Sequence, residues 1–187
     1  MPSTGCVMIV FVALGVPAFA GSAPGIRNFD QVDTHVYRGG QPTADGFRYL
    51  AKIGVKTIID LREPGSRSRA EERTVTSAGM TYMNVPMTGF APPTGTEMTR
   101  ILALLEAAGS GPVFVHCRRG ADRTGAVIAA YHIDHDGWAN SRALQDAMVH
   151  RMSFFQLPRQ NFIKNFRPST QGAPATTLAS AAAAVAE

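Results

Sequence analysis

The sequence contains only two cysteines, Cys6 and Cys117, and this scarcity excludes a fold held together by several disulfide bonds. Cys6 lies in an N-terminal stretch that we expect to be removed, so the mature chain would keep one thiol. A single thiol cannot form an intramolecular disulfide. Its presence is therefore better explained by chemistry than by structure.

Lysine is also scarce: fifteen of the eighteen cationic side chains are arginine. A diffuse nucleic-acid-binding surface usually recruits lysine as well, and no aromatic residues interleave with the basic ones in a stacking pattern. The planar guanidinium suits bidentate contact with phosphate or carboxylate groups. We therefore expect recognition of phosphate and no nucleic-acid partner.

Charged side chains are absent from residues 1–20, which carry an apolar stretch from Cys6 to Phe19. The stretch is shorter than a bilayer span and is interrupted by glycine and proline, which argues against a stable membrane anchor. It ends in Ala18-Phe19-Ala20, with small residues at both positions that matter for cleavage. We therefore predict a signal peptide over residues 1–20, cleavage before Gly21, and export to the periplasm or out of the cell.

The rest of the chain alternates β-branched runs with amphipathic segments, which predicts a single α/β domain. With 187 residues and 45% apolar composition, the chain is long enough to form one core. We place this domain at residues 26–167 and expect a central, mostly parallel sheet flanked by helices, since such alternation joins parallel strands by right-handed crossovers. Residues 168–187 have almost no charge and no apolar face, which predicts a disordered tail.

The expected elements follow from β-branched content and from helix-capping residues. One or two short strands are expected within residues 28–38, and further strands at 55–61, 80–87 and 113–115. Helices are expected from Thr43 to Gly54, from a capping box at Ser68–Glu71 to Gly79, from a capping box at Thr94–Glu97 to Gly109, across residues 126–133, from Asn140, and from Pro158.

The segment from Val113 to Gly125 carries the reactive residues. A buried strand, a short loop and a buried helix, in that order, direct backbone N–H groups and the positive end of the helix dipole at one point, which forms an anion site. Cys117 begins this loop, and the same field favours its thiolate, so we expect a nucleophile. Arg123, six residues later, can bind two phosphoryl oxygens bidentately, and Thr124 offers a hydroxyl to the sulfur.

The pattern His116-Cys117-x-x-Gly120-x-x-Arg123-Thr124-Gly125 resembles the signature of the cysteine-dependent protein tyrosine and dual-specificity phosphatase superfamily. A sulfurtransferase of the rhodanese type would not require the Arg-Thr-Gly. The resemblance implies a dual-specificity-phosphatase-like fold and hydrolysis of phosphomonoesters through a cysteinyl-phosphate, without a cofactor or a metal. The phosphate-binding residues that it implies are Arg118, Arg119, Gly120, Ala121, Asp122 and Arg123.

Two flanking features extend this interpretation. His116 precedes the nucleophile on a strand, so its side chain should point away from the loop face and position the loop from behind. The segment Tyr37-Arg38-Gly39-Gly40-Gln41-Pro42 resembles the opening of the small atypical dual-specificity phosphatases of bacteria, fungi and plants, although an ordinary turn explains it equally well.

The sequence lacks a carboxylate where most members of the superfamily carry their general acid. The matching loop, Met87–Pro93, has none, which leaves Asp122 and Glu97 as candidates. Asp122 lies within the phosphate loop, as in a subset of related bacterial phosphatases and in myotubularin-like lipid phosphatases, so phosphoinositides become candidate substrates. Glu97 is better explained as the capping partner of Thr94. We therefore expect Asp122 to be the acid, with an ion pair to a neighbouring loop arginine, Arg118 or Arg119, as the alternative.

Two other polar groups have competing explanations. Arg62, Arg67 and Arg69 follow a strand whose carboxyl end should share a rim with Cys117, so they either approach the site or form a solvated basic loop. The second group consists of His132, Asp134, His135 and Asp136. These residues lack the spacing of a closed metal site, and a polar helix end explains them better.

Three functions remain open from the sequence. We favour a protein tyrosine or dual-specificity phosphatase whose partner is a phosphorylated protein. A phosphoinositide or inositol-phosphate phosphatase would use the same chemistry on another substrate. A catalytically inactive phosphate-binding module is disfavoured because Cys117, Arg123 and Thr124 are all present.

Overall fold

The computed structural model describes residues 23–107 and 111–168. The predicted leader and, apart from Pro168, the predicted tail lie outside these residues. The strands are β1 (Asp30–Gln31), β2 (Val36–Gly40), β3 (Thr57–Asp60), β4 (Thr81–Asn84) and β5 (Val113–Cys117). The helices are α1 (Ala44–Lys52), α2 (Ser66–Ser77), α3 (Gly95–Glu106), α4 (Asp122–Asp134), α5 (Asn140–Val149) and α6 (Leu157–Asn165).

The strands form one sheet in the order β1-β2-β5-β3-β4. The central strand β5 runs parallel to β2 and β3, and β3 runs parallel to β4, whereas the edge strand β1 is antiparallel to β2. The predicted mostly parallel sheet is therefore confirmed. Gly40 is in register with Cys117, and Asp60 is in register with His116, so the carboxyl ends of these strands share one rim.

Alternate residues of the central strands pack against helices on opposite faces of the sheet, as the pleat requires. Ile58 and Phe114 belong to the core that contains apolar residues of α1 and α2. Ile59 and Val115 belong to the core on the other face, which contains α3 and α4. Both faces are covered, which explains why β3 and β5 consist of buried residues throughout.

Helix α4 is buried between the sheet and a second helical cluster. Ala126, Ala129 and Ile133 pack against α5 and α6, while Val127 and Ile128 face the sheet. The small alanine side chains let the helices approach each other closely. A helix held on both sides keeps its first turn fixed relative to the end of β5, and that turn carries Asp122 and Arg123.

Two helices start two or more residues before the predicted position. Helix α4 begins at Asp122, four residues before the predicted Ala126. The predicted capping box at Ser68–Glu71 is wrong, because α2 begins at Ser66 and Ser68 instead accepts the Gly65 N–H through Oγ at 2.7 Å. Glu71 therefore lies within the body of α2 rather than at its cap, and its side chain contacts His116 of the sheet.

The other predicted capping box is confirmed. Glu97 accepts the Thr94 N–H at 2.6 Å, and the Thr94 hydroxyl accepts the Glu97 N–H at 3.2 Å. Within residues 23–107 and 111–168, no helix combines the length and the apolarity needed to cross a membrane.

Candidate active site

The nucleophile candidate lies at the end of the central strand. Cys117 is the last residue of β5, and four loop residues separate it from the first turn of α4. Gly120 has a φ of 70°, and a Cβ at this position would lie 2.3 Å from the carbonyl carbon of Gly39. Both the left-handed backbone and the close approach to β2 require glycine, so the loop curves tightly against the sheet.

The surroundings of Cys117 favour its thiolate. Burial opposes ionisation of the thiol, but hydrogen bonds from the Thr124 hydroxyl and from the N–H groups of Thr124 and Arg119, together with the charge of Arg123, outweigh it and hold its pKa below the ordinary value. The loop therefore stabilises negative charge at the sulfur.

Arg123 is held at the rim by two backbone carbonyls. Its Nη1 donates to the oxygens of Leu61 and Met87 at 3.3 and 3.2 Å, in the segments that follow β3 and β4. Both bonds use the same nitrogen, so Nε and Nη2 remain available for phosphoryl oxygens. Three strands thus fix the guanidinium relative to Cys117.

A buried ion-pair network lies behind the loop. His116 is fully buried, and its Nε2 lies 2.7 Å from Oε1 of Glu71. Arg62 joins Glu71 to Asp60, donating to the two oxygens of Asp60 at 2.8 and 2.7 Å. Burial alone would raise the pKa of Asp60, but hydrogen bonds from Arg62 and the charge of His116 keep it below its ordinary value. The imidazole therefore faces away from the substrate side and supports the loop through a carboxylate.

This network places Arg62 inside the protein. Arg67 and Arg69 are exposed. Of the three arginines expected near the rim, only Arg62 therefore belongs to the ion-pair network behind the loop. Sequence reasoning did not identify Glu71, because its position suggested a helix cap. The sequence feature that could have indicated this network is the alternation of charge at Asp60, Arg62 and Glu71.

The same network contains a set of metal-ligand side chains. Asp60, Glu71 and His116 place one ligand-type atom each within 4.8 Å of one another. The guanidinium of Arg62 contacts both carboxylates and supplies positive charge there. These contacts make the group a salt-bridge network rather than an open metal site.

The polar end of α4 has partners of its own. Nδ1 of His132 lies 2.6 Å from Asp136, Nδ1 of His135 lies 2.8 Å from the same carboxylate, and His132 stacks on Trp138 with ring centres 3.8 Å apart. This arrangement agrees with a polar helix end.

Residues of the N-terminal segment support the loop from the β2 side. The Asn28 side chain donates to the carbonyl oxygens of Gly120 and His150 at 2.7 and 2.8 Å. The buried Arg38 donates to the Gly120 oxygen at 3.4 Å and pairs with Asp146 at 3.2 Å. Nothing in the sequence marked Asn28 for this role, because its partners lie about a hundred residues away along the chain.

Asp122 has two partners within the protein. One oxygen pairs with Arg119, and the other accepts the N–H of Ser153 at 2.9 Å. The first contact is the ion pair that the sequence offered as the alternative role of Asp122. Its use as the general acid stays a prediction and requires that one of these contacts be released. Arg118 and Arg119 are exposed at the mouth of the loop, while Ala121 is buried beneath it.

A third buried arginine holds the segment Met87–Pro93, which follows β4. Arg159 of α6 is fully buried and donates to the carbonyl oxygens of Thr88 and Gly89, the latter at 2.8 Å. Burial, and then the charge of Arg123, lower its pKa, whereas Asp122 and Cys117 raise it. Arg159 thus fixes the segment after Met87, whose carbonyl holds Arg123.

Comparisons with known proteins agree with this geometry. A family model described as "DSP-PTPase phosphatase fused to NAD+ Kinase" matches residues 21–165. "Dual specificity protein phosphatase TpbA" of Pseudomonas aeruginosa is 28% identical over 131 residues, which are 70% of this chain and 57% of that protein. "Inositol diphosphatase DSP5" of Arabidopsis thaliana is 25% identical over 123 residues, which are 64% of this chain and 59% of that protein. The chain therefore spans less than two thirds of the length of either relative.

The fold is shared with a solved structure. The crystal structure of P. aeruginosa TpbA has a TM-score of 0.65 and 22% sequence identity, covering 78% of this chain and 92% of that chain. This likeness confirms the predicted dual-specificity-phosphatase-like architecture.

Proposed function

We infer the function from one premise: the chain belongs to the family described as DSP-PTPase phosphatase fused to NAD+ kinase. We propose that it hydrolyses phosphomonoesters through a cysteinyl-phosphate, as a protein tyrosine or dual-specificity phosphatase. The observation that carries this proposal is a buried thiol whose pKa is lowered by the loop, beside an arginine that two backbone carbonyls hold through Nη1.

In the first step, the thiolate of Cys117 attacks phosphorus in line with the ester bond. The S–P bond forms as the P–O bond breaks, and the departing oxygen takes a proton. Arg123 and the loop N–H groups bind the three equatorial oxygens, where negative charge is distributed in the transition state. Because carbonyls of two other loops hold Arg123, little reorganisation is needed when the substrate binds.

In the second step, water attacks phosphorus and the S–P bond breaks. The products are inorganic phosphate and the Cys117 thiolate. The attacking water gives its proton to the same group that protonated the leaving oxygen in the first step. The Thr124 hydroxyl stabilises the thiolate as it leaves, as it does in the free enzyme.

We assign the proton transfers to Asp122. The segment Met87–Pro93 has no carboxylate, and Glu97 is engaged with both the N–H and the hydroxyl of Thr94. Asp122 is in the first turn of α4, next to Arg123. Exchange of its contact with exposed Arg119 for one with the substrate would bring the carboxyl group to the ester oxygen.

The preferred substrate is a phosphorylated protein, on the basis of the relative named as a dual-specificity protein phosphatase. An inositol-phosphate phosphatase is the second candidate, because another relative of similar identity is named as an inositol diphosphatase. Both candidates use the same loop chemistry and differ in what surrounds it.

A substrate panel with a nucleophile variant tests the proposal. Wild-type protein should hydrolyse p-nitrophenyl phosphate and phosphotyrosine peptides, with lower kcat/KM on inositol phosphates and phosphoinositides. Cys117→Ser should abolish turnover while vanadate still binds, because the anion cradle survives without the thiolate. Substantial turnover by the serine variant would require another nucleophile, and binding without wild-type turnover would favour a phosphate-binding module.

We also propose that the mature protein is exported. The support is the uncharged stretch over residues 1–20 and its ending in Ala18-Phe19-Ala20. N-terminal sequencing of the protein from its native host should return Gly21 as the first residue. An intact segment over residues 1–20 on the functional protein would contradict export by this route.

A further inference from the structure

A pocket of about 580 Å³ lies beside the phosphate loop, and the proposed chemistry leaves it unused. Its lining includes Ile26, Arg27, Gln41, Pro42, Thr43 and Arg118. Arg118 directly follows the nucleophile, so the pocket and the reaction centre share one residue of the loop. A group bound in the pocket would therefore lie next to a phosphoryl group bound at Cys117.

The pocket walls are fixed to the sheet rather than formed by a loose loop. The Gly40 N–H donates to the Arg27 oxygen at 2.7 Å, and the Thr43 N–H donates to the Gly25 oxygen at 2.9 Å. The Gln41 N–H donates to the Arg118 oxygen at 3.4 Å. The N-terminal segment, the end of β2 and the phosphate loop are thus joined by backbone hydrogen bonds.

The pocket combines a basic rim with an apolar floor. Arg27 and Arg118 are exposed, and neither has an acidic partner within residues 23–107 and 111–168. The floor is formed by the buried residues Ala23, Ile26 and Pro42. Two guanidinium groups without partners attract an anion, and the floor offers contact to methylene groups.

Two acidic side chains on the adjoining helices already have basic partners. Asp45 of α1 pairs with Arg48. Glu71 of α2 is buried and pairs with Arg62 and His116, and it reaches the pocket only through a 3.3 Å hydrogen bond from Gln41. The two exposed guanidinium groups therefore remain available to a ligand.

We propose that this pocket is a subsite for an acidic residue that flanks the phosphorylated residue of a peptide substrate. A glutamate side chain matches it, because its methylenes cover the apolar floor while its carboxylate reaches Arg27 and Arg118. A compact polyphosphorylated ring would place charge against the apolar side chains of Ala23, Ile26 and Pro42. The assignment rests on the proposed function and specifies its substrate.

Phosphotyrosine peptides that differ only by glutamate or glutamine at one flanking position test the subsite. With the wild type, kcat/KM should be about three- to fivefold higher for the glutamate peptide at one position, the size expected of exposed guanidinium–carboxylate pairs. Salt near 1 M, where the screening length falls to roughly 3 Å, should remove the preference. Hydrolysis of p-nitrophenyl phosphate, which lacks a flanking group, should not depend on the subsite.

Variants of Arg27 assign the preference to this pocket. Arg27→Gln should remove the preference and leave kcat/KM for p-nitrophenyl phosphate unchanged, since Arg27 does not bind the reacting phosphate. Arg27→Glu should reverse it toward a lysine-flanked peptide. Arg100→Gln is the matched control, because it makes the same charge change at an exposed position of α3 and should retain the wild-type preference.

Equal kcat/KM for the two peptides at every flanking position would overturn the subsite while leaving phosphatase activity intact. The same conclusion would follow if Arg27→Gln weakened hydrolysis of inositol phosphates without affecting the peptides, or if Arg100→Gln removed the preference as completely. Absence of wild-type turnover on every phosphomonoester would instead refute the proposed function, and the subsite with it.

Discussion

Replacing Gly120 with alanine tests whether close packing of the phosphate loop against β2 positions the reaction centre. The added Cβ would lie 2.3 Å from the Gly39 carbonyl carbon and 2.4 Å from the Gly40 nitrogen, both backbone atoms. Ordinary contacts begin at 3.4 Å, so the loop must move by about 1 Å. A displacement of that size costs roughly 100-fold in rate, and the positive φ adds about 1–3 kcal/mol of strain.

Gly137→Ala separates the two effects. Gly137 has a φ of 68°, close to the 70° of Gly120, but among the described residues only its two chain neighbours have atoms within 4 Å of the added Cβ. It should lose about 1–3 kcal/mol of stability from the backbone alone and keep full activity. Urea unfolding together with kcat/KM for p-nitrophenyl phosphate measures both quantities. If Gly120→Ala keeps kcat/KM within twofold of Gly137→Ala, the loop is not positioned by this contact.

Three further substitutions test other parts of the site. Asp122→Asn should slow alkyl phosphates far more than p-nitrophenyl phosphate, whose leaving group scarcely needs a proton, and should flatten the alkaline limb of the pH–rate profile; equal slowing of both substrates would exclude Asp122 as the acid. Arg159→Lys replaces the two guanidinium nitrogens that hold the Thr88 and Gly89 carbonyls by one ammonium on a shorter side chain, so it should lower kcat/KM about tenfold and stability by about 1–3 kcal/mol, whereas the exposed Arg73→Lys should change neither. Hydrogen bonds that the His150 imidazole donates to the carboxylates of Asp146 and Asp30 raise the pKa of His150 to about 9, above its ordinary 6.5. The resulting stabilisation is complete below pH 6.5 and is lost as the pH rises through 9, so His150→Gln should flatten the decline in urea midpoint over that range, and an unchanged slope would contradict the ion pairs.

The placement of Cys117 and Arg123 at the two ends of one loop was predictable because it depends on local sequence. Cys117, Gly120 and Arg123 lie within seven consecutive residues between a buried strand and a buried helix. Hydrogen-bond donors, a helix N-terminus and a thiol at that spacing converge whatever the distant parts of the chain do. The parallel sheet was predictable for a similar reason, because alternating strands and helices leave few ways to connect them.

Helix boundaries near polar residues were harder to predict. Ser68 and Glu71 match a capping box, yet the helix starts at Ser66 because Ser68 can also cap from the third helical position. The Thr94–Glu97 pair has the same spacing and does form the box. A local pattern permits both outcomes, and the buried partners of Glu71 decide between them.

The sequence alone determined the fold class and the placement of Cys117 and Arg123 on one loop, the proposed phosphate cradle, since each depends on residues close together in the chain or on a regular alternation. Tertiary structure decided what holds the cradle in place. Glu71 reaches His116 from α2, Arg159 reaches Gly89 from α6, and Asn28 reaches Gly120 across 92 residues. These contacts depend on how helices pack on the sheet, and packing is set by many side chains acting together, so no spacing in the sequence announces them.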